Sequence, residues 1–553
     1  MREVVTLQFG NYANYVGAHF WNVEDELSVF FTPVPPSAQQ TTDEVEIDPG
    51  TVWRESVTHF GHVTHTPRLI SFGLSGSLGS IPPCGTLQHT AVQEQISVAA
   101  LAAQSIRRYE VDLVSKSAFQ CSLEHEDRRF TDAFTDNDDG ESKEVSIDTR
   151  LTEPLSTLRP AALDRVDFWT DFLKVHLHER NLYELPGIHH QLSEFDYFSQ
   201  GRGVAEVSSV AEDMLDRLRF FAEECDQLQG LQFVVDADSG FAGLAAWYLE
   251  SVREDFAKTP IVLFSVAPPA AELRGSNVDN GEGGSEQQRR LVNSALCLSA
   301  FSDLVSLYVP LSVDATTLHL PGVAPRFAAA ALTDPFVSSA VVAAGMHSAL
   351  LPCRRRERAL ESESFASVVS HVVSAPRLNT AALSMGLPLA DSALLDWLCS
   401  PALRHGQRLR QAPMLCSLSP FCVPPSPLSP LELQLERRQQ VWGEFGVLRG
   451  VPADVARVRD VCLHLATVDH QLPIPLPFPY VFGSESVTTV PVVSHLFASD
   501  DMGCRWGQLS AELQQCQSNS VLMGQFAKHD FTSDSWRALH DGLLVLADEY
   551  ASC

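Results

Sequence analysis

The chain has 553 residues, with 39 basic and 69 acidic side chains and a formal net charge of −30. That balance excludes unaided binding to nucleic acid or to an anionic membrane, since both need a basic face. Hydrophobic residues make up 45% and charged residues 20%, the balance of a folded chain with a large core and room for two or three domains.

The 12 cysteines include no CxxC pair, and the nearest two, Cys416 and Cys422, are spaced unsuitably for zinc. Reduced thiols in a cytosolic compartment and no metal ligand set are therefore expected. No uninterrupted apolar run is long enough to span a bilayer, so no transmembrane helix is expected. The N-terminus reads as neither a signal peptide nor a mitochondrial presequence, since Glu3 accompanies a single early arginine.

Residues 1–9 alternate as a strand, with Val5, Leu7 and Phe9 on one face. Gly10 turns the chain, and Asn11 is placed to cap a helix whose Ala13, Gly17 and Phe20 share a face. Residues 33–48 read as a loop, 67–81 as a second strand with a Gly/Ser turn, and 88–109 as a helix. Residues 127–150 form an acidic insert poor in apolar side chains, expected to be a solvated surface segment.

Residues 166–178 look helical, with aromatic Phe168, Trp169 and Phe172. His176 and His178 would then face apart and make a poor metal pair. Met214, Leu218, Phe221, Cys225 and Leu228 make a helical stripe. The stretch that follows is the centre of the chain: a buried strand at 231–235, a short turn Asp236-Ala237-Asp238-Ser239-Gly240, then a helix with Ala245, Leu249, Val252 and Phe256 on one face. A helix N-terminus at such a turn offers free N–H groups to a phosphate.

Residues 260–266 form a third strand, 274–288 a loop, and Arg289 begins a helix containing Asn293. An apolar helix is expected near 336–351. The basic run CRRRER at 353–358 reads as a salt-bridged surface, with contact to an acidic partner or lipid headgroup as the other reading. Residues 401–430 are rich in proline and serine, LPIPLPFPY ends at Tyr480 as an extended connector, and 533–550 close the chain as an amphipathic helix.

The wording of several segments is specific. Met1, Arg2, Glu3, Val5, Gln8, Gly10, Asn14, Gly17, Ala18, Phe20 and Trp21 stand in the register of the first strand and helix of tubulin, and residues 222–266 resemble its phosphate-loop segment. DFWTDFLKVHLHER at 167–180, residues 61–81 and the AEECDQLQGLQ block resemble the Misato family, a divergent tubulin/FtsZ-like group.

The resemblance implies an α/β fold in three parts. Residues 1–345 form a Rossmann-like parallel-sheet domain, 346–490 a smaller α+β domain, and 491–553 a C-terminal helical region. It also implies a role in mitochondrial distribution, morphology and fusion. The chain would act in the cytoplasm and peripherally at the mitochondrial outer membrane, through protein partners there, with tubulin or its chaperones as further candidates.

The resemblance raises GTP as a cofactor, and the residues argue against it. Tubulin carries a glycine-rich phosphate loop, where small residues let the backbone approach the phosphates. Here DADSG retains Ser239 and Gly240 and adds two carboxylates, which repel a polyphosphate. Gly10-Asn11-Tyr12-Ala13 replaces Gly-Gln-Cys-Gly, and Gly73-Leu74-Ser75-Gly76 replaces the acidic magnesium motif.

Asn293 matches a base-contacting asparagine, while the hydrolytic N-x-D falls on Ser362-Glu363-Ser364. Gly10, Asn11, Ser239, Gly240 and Asn293 thus outline a degenerate nucleotide site. No HExxH, GxSxG, Walker A or GxGxxG motif offers other chemistry. The expected function is a non-hydrolysing scaffold or adaptor with no catalytic residue and no resident cofactor. A divergent GTPase and a tubulin assembly factor are the alternatives. Gly240→Ala is expected to be tolerated if the loop is a relic and harmful if phosphate binds there.

Overall fold

The computed structural model describes residues 2–30, 47–57, 63–86, 114–124, 166–269, 282–313, 333–356, 362–386, 415–419, 441–450, 462–479 and 487–551. The helix expected at 88–109, the acidic insert 127–150 and most of 33–48 and 401–430 lie outside these residues.

β1 (Glu3–Phe9) is buried at every position. Val5, Leu7 and Phe9 pack into one helical layer and Val4 into the other. A strand covered on both faces is the signature of a parallel sheet between helices. α1 (Asn11–Phe30) follows, then the hairpin of β2 (Trp53–Val57) and β3 (Val63–Pro67), then β4 (Leu69–Ser75) and β5 (Leu182–His189). Next come α2 (Phe198–Ala205), α3 (Ser208–Glu223), β6 (Leu228–Asp236), α4 (Gly240–Asp255), β7 (Ile261–Ala267), α5 (Glu282–Phe301) and β8 (Leu307–Ser312).

The sheet runs β5-β4-β1-β6-β7-β8, with every pair parallel. Counting only its own strands in chain order, this is the doubly wound order whose direction reverses between β1 and β6. Ligands in such sheets bind at the carboxyl ends of those two strands.

α6 (Pro335–Leu350) lies between α1 and the second sheet. Asp334 caps it, accepting the Phe336 N–H at 2.9 Å, and Pro335 opens its first turn. Residues Pro335–Arg354 are long and apolar enough to cross a membrane by length and composition, and 94% of that window is buried inside the protein. A helix apolar all round is satisfied here by two layers of protein.

α7 (Phe365–Val372) leads to β9 (Ala382–Gly386), β10 (Leu415–Ser417), β11 (Val441–Arg449), β12 (Leu465–Val468), β13 (Leu472–Pro473), β14 (Thr489–Val490) and β15 (Val492–Ser499). The second sheet is mixed, in the order β10-β9-β15-β11-β12. β13 and β14 pair separately, so the proline-rich stretch is an extended connector over its described part. α8 (Asp501–Gln517), α9 (Ser520–Ala527) and α10 (Ser533–Ala551) close the fold, with Trp536, Leu539, Leu543 and Tyr550 buried. Residue 345 lies inside α6, and β15, beyond residue 490, is an inner strand of the second sheet.

Several local expectations are corrected. Residues 166–178 hold one 3-10 turn, Trp169–Phe172, rather than a helix. Asp171 accepts the Phe168 N–H at 2.9 Å and the Asp167 N–H at 3.1 Å, closing the turn at once. The chain beyond is then held open by Asn22 on Lys174 N (2.8 Å) and Thr86 on Leu177 N (2.8 Å). α5 starts at Glu282, so the expected loop is already helical over 282–288. α3 ends at Glu223, leaving Cys225 and Leu228 outside the helix that their spacing implied.

The basic run is divided over its described part: Arg356 is exposed and Arg355 partly exposed, as a surface reading expects, while Arg354 is not. Arg354 is buried beneath α1 and α6, where it meets the Glu24 carboxylate. The His347 Nε2 lies 2.6 Å from Glu24 Oε1, and its Nδ1 lies 2.8 Å from Arg449 Nη1. Arg449 can only donate, so Nδ1 accepts, while Nε2 faces both the Glu24 carboxylate and, at 3.2 Å, Arg354 Nη1. Burial and the Arg449 charge hold the imidazole well below its ordinary pKa, which keeps it neutral. This buried group joins α1, α6 and β11.

Candidate functional site: the closed crevice between β1 and β6

β6 ends on Asp236, and its carboxyl group reaches across the crevice to the first turn of α1. Oδ2 accepts the Tyr12 N–H at 3.1 Å and Oδ1 accepts the Ala13 N–H at 2.6 Å. The Asn11 N–H faces the same group. These are the free amides that a helix N-terminus offers to an anion. Asp236 therefore stands where a phosphate at this end of the crevice would stand.

Gly10 makes that approach possible. Its φ is +113°, and a Cβ there would lie 2.1 Å from Asp236 Oδ2. Asn14 N donates to Gly10 O at 3.0 Å, so Gly10 occupies the cap position and Asn11 is the first helical residue. The cap expected from Asn11 is supplied by Asp236 instead. Burial, then the Asp238 charge, raise the Asp236 pKa well above its ordinary value, against the opposing N–H groups of Ala13, Tyr12 and Asn11. Tyr12 fills the space beside it, its hydroxyl 3.1 Å from Ser338 Oγ on α6.

The α4 end is closed as well. Ser239 caps the helix, its Oγ accepting the Phe241 N–H at 3.3 Å. The Gly240 N–H donates to Phe195 O at 2.9 Å, and the Ala242 N–H to Ser239 O at 3.2 Å. Asp238 does not face outward to repel a ligand, because Arg290 Nε holds its carboxylate at 2.5 Å. α2 lies directly over α4: a Cβ on Gly201 would meet Gly240 O at 1.8 Å, and one on Gly243 would meet Phe198 O at 1.7 Å. Gly240 is packed more loosely: a Cβ there would sit 2.9 Å from the Phe195 ring. Gly240→Ala makes that ring shift, so a loss on this substitution would not by itself report a bound phosphate.

Asn293 is fully used. Its Oδ1 accepts the Phe198 N–H at 3.2 Å, and its Nδ2 donates to Asp196 O at 2.5 Å and Asp238 O at 2.9 Å. Its side chain is a strut between α5, the DADSG turn and the entry to α2. A nucleotide held in the tubulin manner needs free amides and an open cradle. Gly10, Asn11, Ser239, Gly240 and Asn293 do converge on this crevice, but the Asn11 and Gly240 amides, the Ser239 hydroxyl and the Asn293 side chain bond to the chain itself. These residues do not fit a nucleoside triphosphate.

At the place of the hydrolytic loop, Ser362 accepts from Arg2 Nη2 at 2.8 Å and Ser364 caps α7. Glu361 lies outside the described residues. Ser367 Oγ bonds the Glu363 carboxylate and lies 3.1 Å from His371 Nε2. A nucleophilic relay needs the imidazole between hydroxyl and carboxylate, and here the hydroxyl is in the middle.

Sequence comparison agrees with this architecture. The family model for the Misato Segment II tubulin-like domain matches residues 2–125, and one for the tubulin domain matches residues 159–355. Fold and site together define a tubulin-like protein in which Asp236 bridges the crevice between β1 and β6. Protein misato homolog 1 of Homo sapiens is 30% identical over 407 residues, 71% of this chain and 67% of the relative. Protein misato of Drosophila melanogaster is 28% identical over 444 residues, 76% and 70% of the two chains. The chain spans about half of the Danio rerio homologue, at 30% identity over 325 residues, 56% and 51% respectively. The chain belongs to the Misato family.

Proposed function

We propose that this chain is a non-hydrolysing, tubulin-like scaffold. It organises mitochondrial distribution and morphology from the cytosolic face of the outer membrane, through protein contacts. One observation carries the non-hydrolysing part: the Asp236 carboxyl group occupies the first turn of α1. The mitochondrial part rests on family membership. A net charge of −30 favours attachment through a protein receptor over direct adsorption to anionic lipid.

The test is to purify the full chain gently, measure bound guanine nucleotide, then add GTP with magnesium. The expected result is an empty protein with no thermal shift at millimolar GTP and no phosphate release. Stoichiometric nucleotide with turnover would replace the scaffold by a divergent GTPase. For the cellular part, depletion is expected to disturb the mitochondrial network, with rescue by an Asp236→Asn chain. An undisturbed network would remove the mitochondrial assignment.

A further inference from the structure

Three donor side chains of different chemistry converge on the second sheet, far from the crevice. β11 and β15 pair antiparallel with Glu444 opposite Phe497 and Gly446 opposite His495. Glu444 and His495 are therefore diagonal neighbours on one face, within reach of each other. The His495 Nε2 lies 3.0 Å from Glu444 Oε2. Cys462 stands on the segment that enters β12, which runs parallel to β11 from Gly446↔Leu465 onward. The carboxylate oxygen, imidazole nitrogen and thiol sulfur all lie within 4.8 Å of one another. All three residues are buried, at 3%, 5% and 0% exposure for Glu444, Cys462 and His495.

A Glu–His hydrogen bond accounts for two of these groups. The Cys462 thiol adds a side-chain contact to the same Glu444 carboxylate, so all three groups meet around one point. The surrounding backbone also orients the donors. Leu463 N–H holds Glu444 Oε1 at 2.9 Å, which leaves Oε2 aimed at the cluster. His464 O accepts from Cys462 Sγ at 3.1 Å and is itself fixed by the Gly446 N–H at 2.8 Å. The Leu463 N–H is an outer partner of the kind that sets the direction of a metal ligand, whereas the Cys462 S–H bond to His464 O is given up when the thiol loses its proton to a metal.

We propose that Glu444, Cys462 and His495 form a site for one zinc ion, tying β11, β15 and the entry to β12 together. A sulfur ligand selects against magnesium and calcium, and mixed S, N and O donors suit zinc. Tetrahedral ligands on zinc stand about 3.3–3.8 Å apart, so the donors close on the metal with side-chain adjustment alone. The three side chains leave one coordination position to water.

The full chain, reduced and stripped with a chelator, is titrated with cobalt(II) alone and then with zinc alone. One cobalt per chain is expected, with the d–d bands of a tetrahedral site and a thiolate-to-cobalt charge-transfer band, both lost when zinc displaces it. Cys462→Ser is close in volume and is expected to keep the fold, which circular dichroism checks. It is expected to lose the charge-transfer band and to weaken zinc binding at least about tenfold. Cys504→Ser, at an exposed cysteine, is expected to change neither. No tetrahedral band in the folded chain would overturn the site. So would a band that survives Cys462→Ser, or one lost equally in Cys504→Ser.

Discussion

Asp236 Oδ1 lies 2.6 Å from the backbone nitrogen of Ala13, joining the end of β6 to the start of α1. Removing that carboxyl leaves at least two buried N–H groups without acceptors. Asp236→Ala is expected to cost about 2–4 kcal/mol, the combined scale of a lost cap and orphaned donors. Asp236→Asn keeps one acceptor oxygen and should cost about half as much. Urea unfolding monitored by tryptophan fluorescence measures both. An unchanged midpoint for Asp236→Ala would show that the contact stabilises nothing.

The same carboxyl group makes stability depend on pH in an unusual direction. Its folded pKa is raised above the ordinary 3.8, by burial first and Asp238 second. The folded state therefore binds the proton more tightly than the unfolded state. The associated stabilisation is full below pH 3.8 and is lost as pH rises through the folded value. The stability of the unsubstituted chain minus that of Asp236→Asn should fall as pH rises above about 4. A flat difference would place the carboxyl at its ordinary value.

His19 works the other way. Its Nε2 lies 2.9 Å from Phe336 O, and its ring packs against Phe172, Phe336 and Phe478. Burial pulls its pKa from 6.5 down to about 3. The folded state resists the proton, so stability is full above pH 6.5 and falls as pH drops towards about 3. The slope approaches ~1.4 kcal/mol per pH unit for one such group. His19→Phe should flatten that portion of the profile, and an unaltered slope would assign it to other groups.

Glycine substitutions in α4 should invert the usual rule. Gly→Ala inside a helix ordinarily stabilises by about 1 kcal/mol. At Gly243 the new methyl would meet the backbone oxygen of Phe198, which cannot rotate away, whereas at Gly240 it would meet the Phe195 ring. Gly243→Ala is expected to lose about 2–4 kcal/mol and Gly240→Ala less, on the scale of overpacked cores. Thermal denaturation of the two variants decides the order.

Glu24 is the counter-charge of a buried pair of arginines. Glu24→Gln leaves Arg354 without the carboxylate it meets, with Arg449 on the other side of His347, and should cost about 3–5 kcal/mol. Glu24→Gln combined with Arg354→Met should recover part of that loss. A double variant no better than the single one would mean that Arg354 contributes through packing alone.

The parallel sheet and the DADSG turn were legible because each is a local pattern, whereas Gly10, Asn11, Ser239, Gly240 and Asn293 are legible only through the resemblance to tubulin. β1 and β6 are short apolar runs, α4 has one apolar face, and the matched positions of the first 21 residues stand in one register. What local pattern conceals is the partner. Asp236 reads as a charge that repels phosphate; only the pairing Phe9↔Val235 brings it to the α1 amides. Arg354 reads as surface because it stands in a basic run, and its burial depends on Glu24 from α1. Residues 166–178 carry aromatic spacing that mimics a helix, but the Asp171 side chain closes the turn first. Glu444, Cys462 and His495 have no spacing motif, since strand register assembles them.

The α1 amides are served by a ligand that never diffuses away. Asp236 is covalently part of the chain, so its effective concentration at the first turn of α1 is set by the sheet and not by the cell. A dissolved anion must compete against that tethered group, and binding becomes an exchange instead of an addition. On the proposed scaffold reading, guanine nucleotide added across the metabolite range is expected to leave this end of the chain in one conformation, and a spectral change on titration would count against that reading.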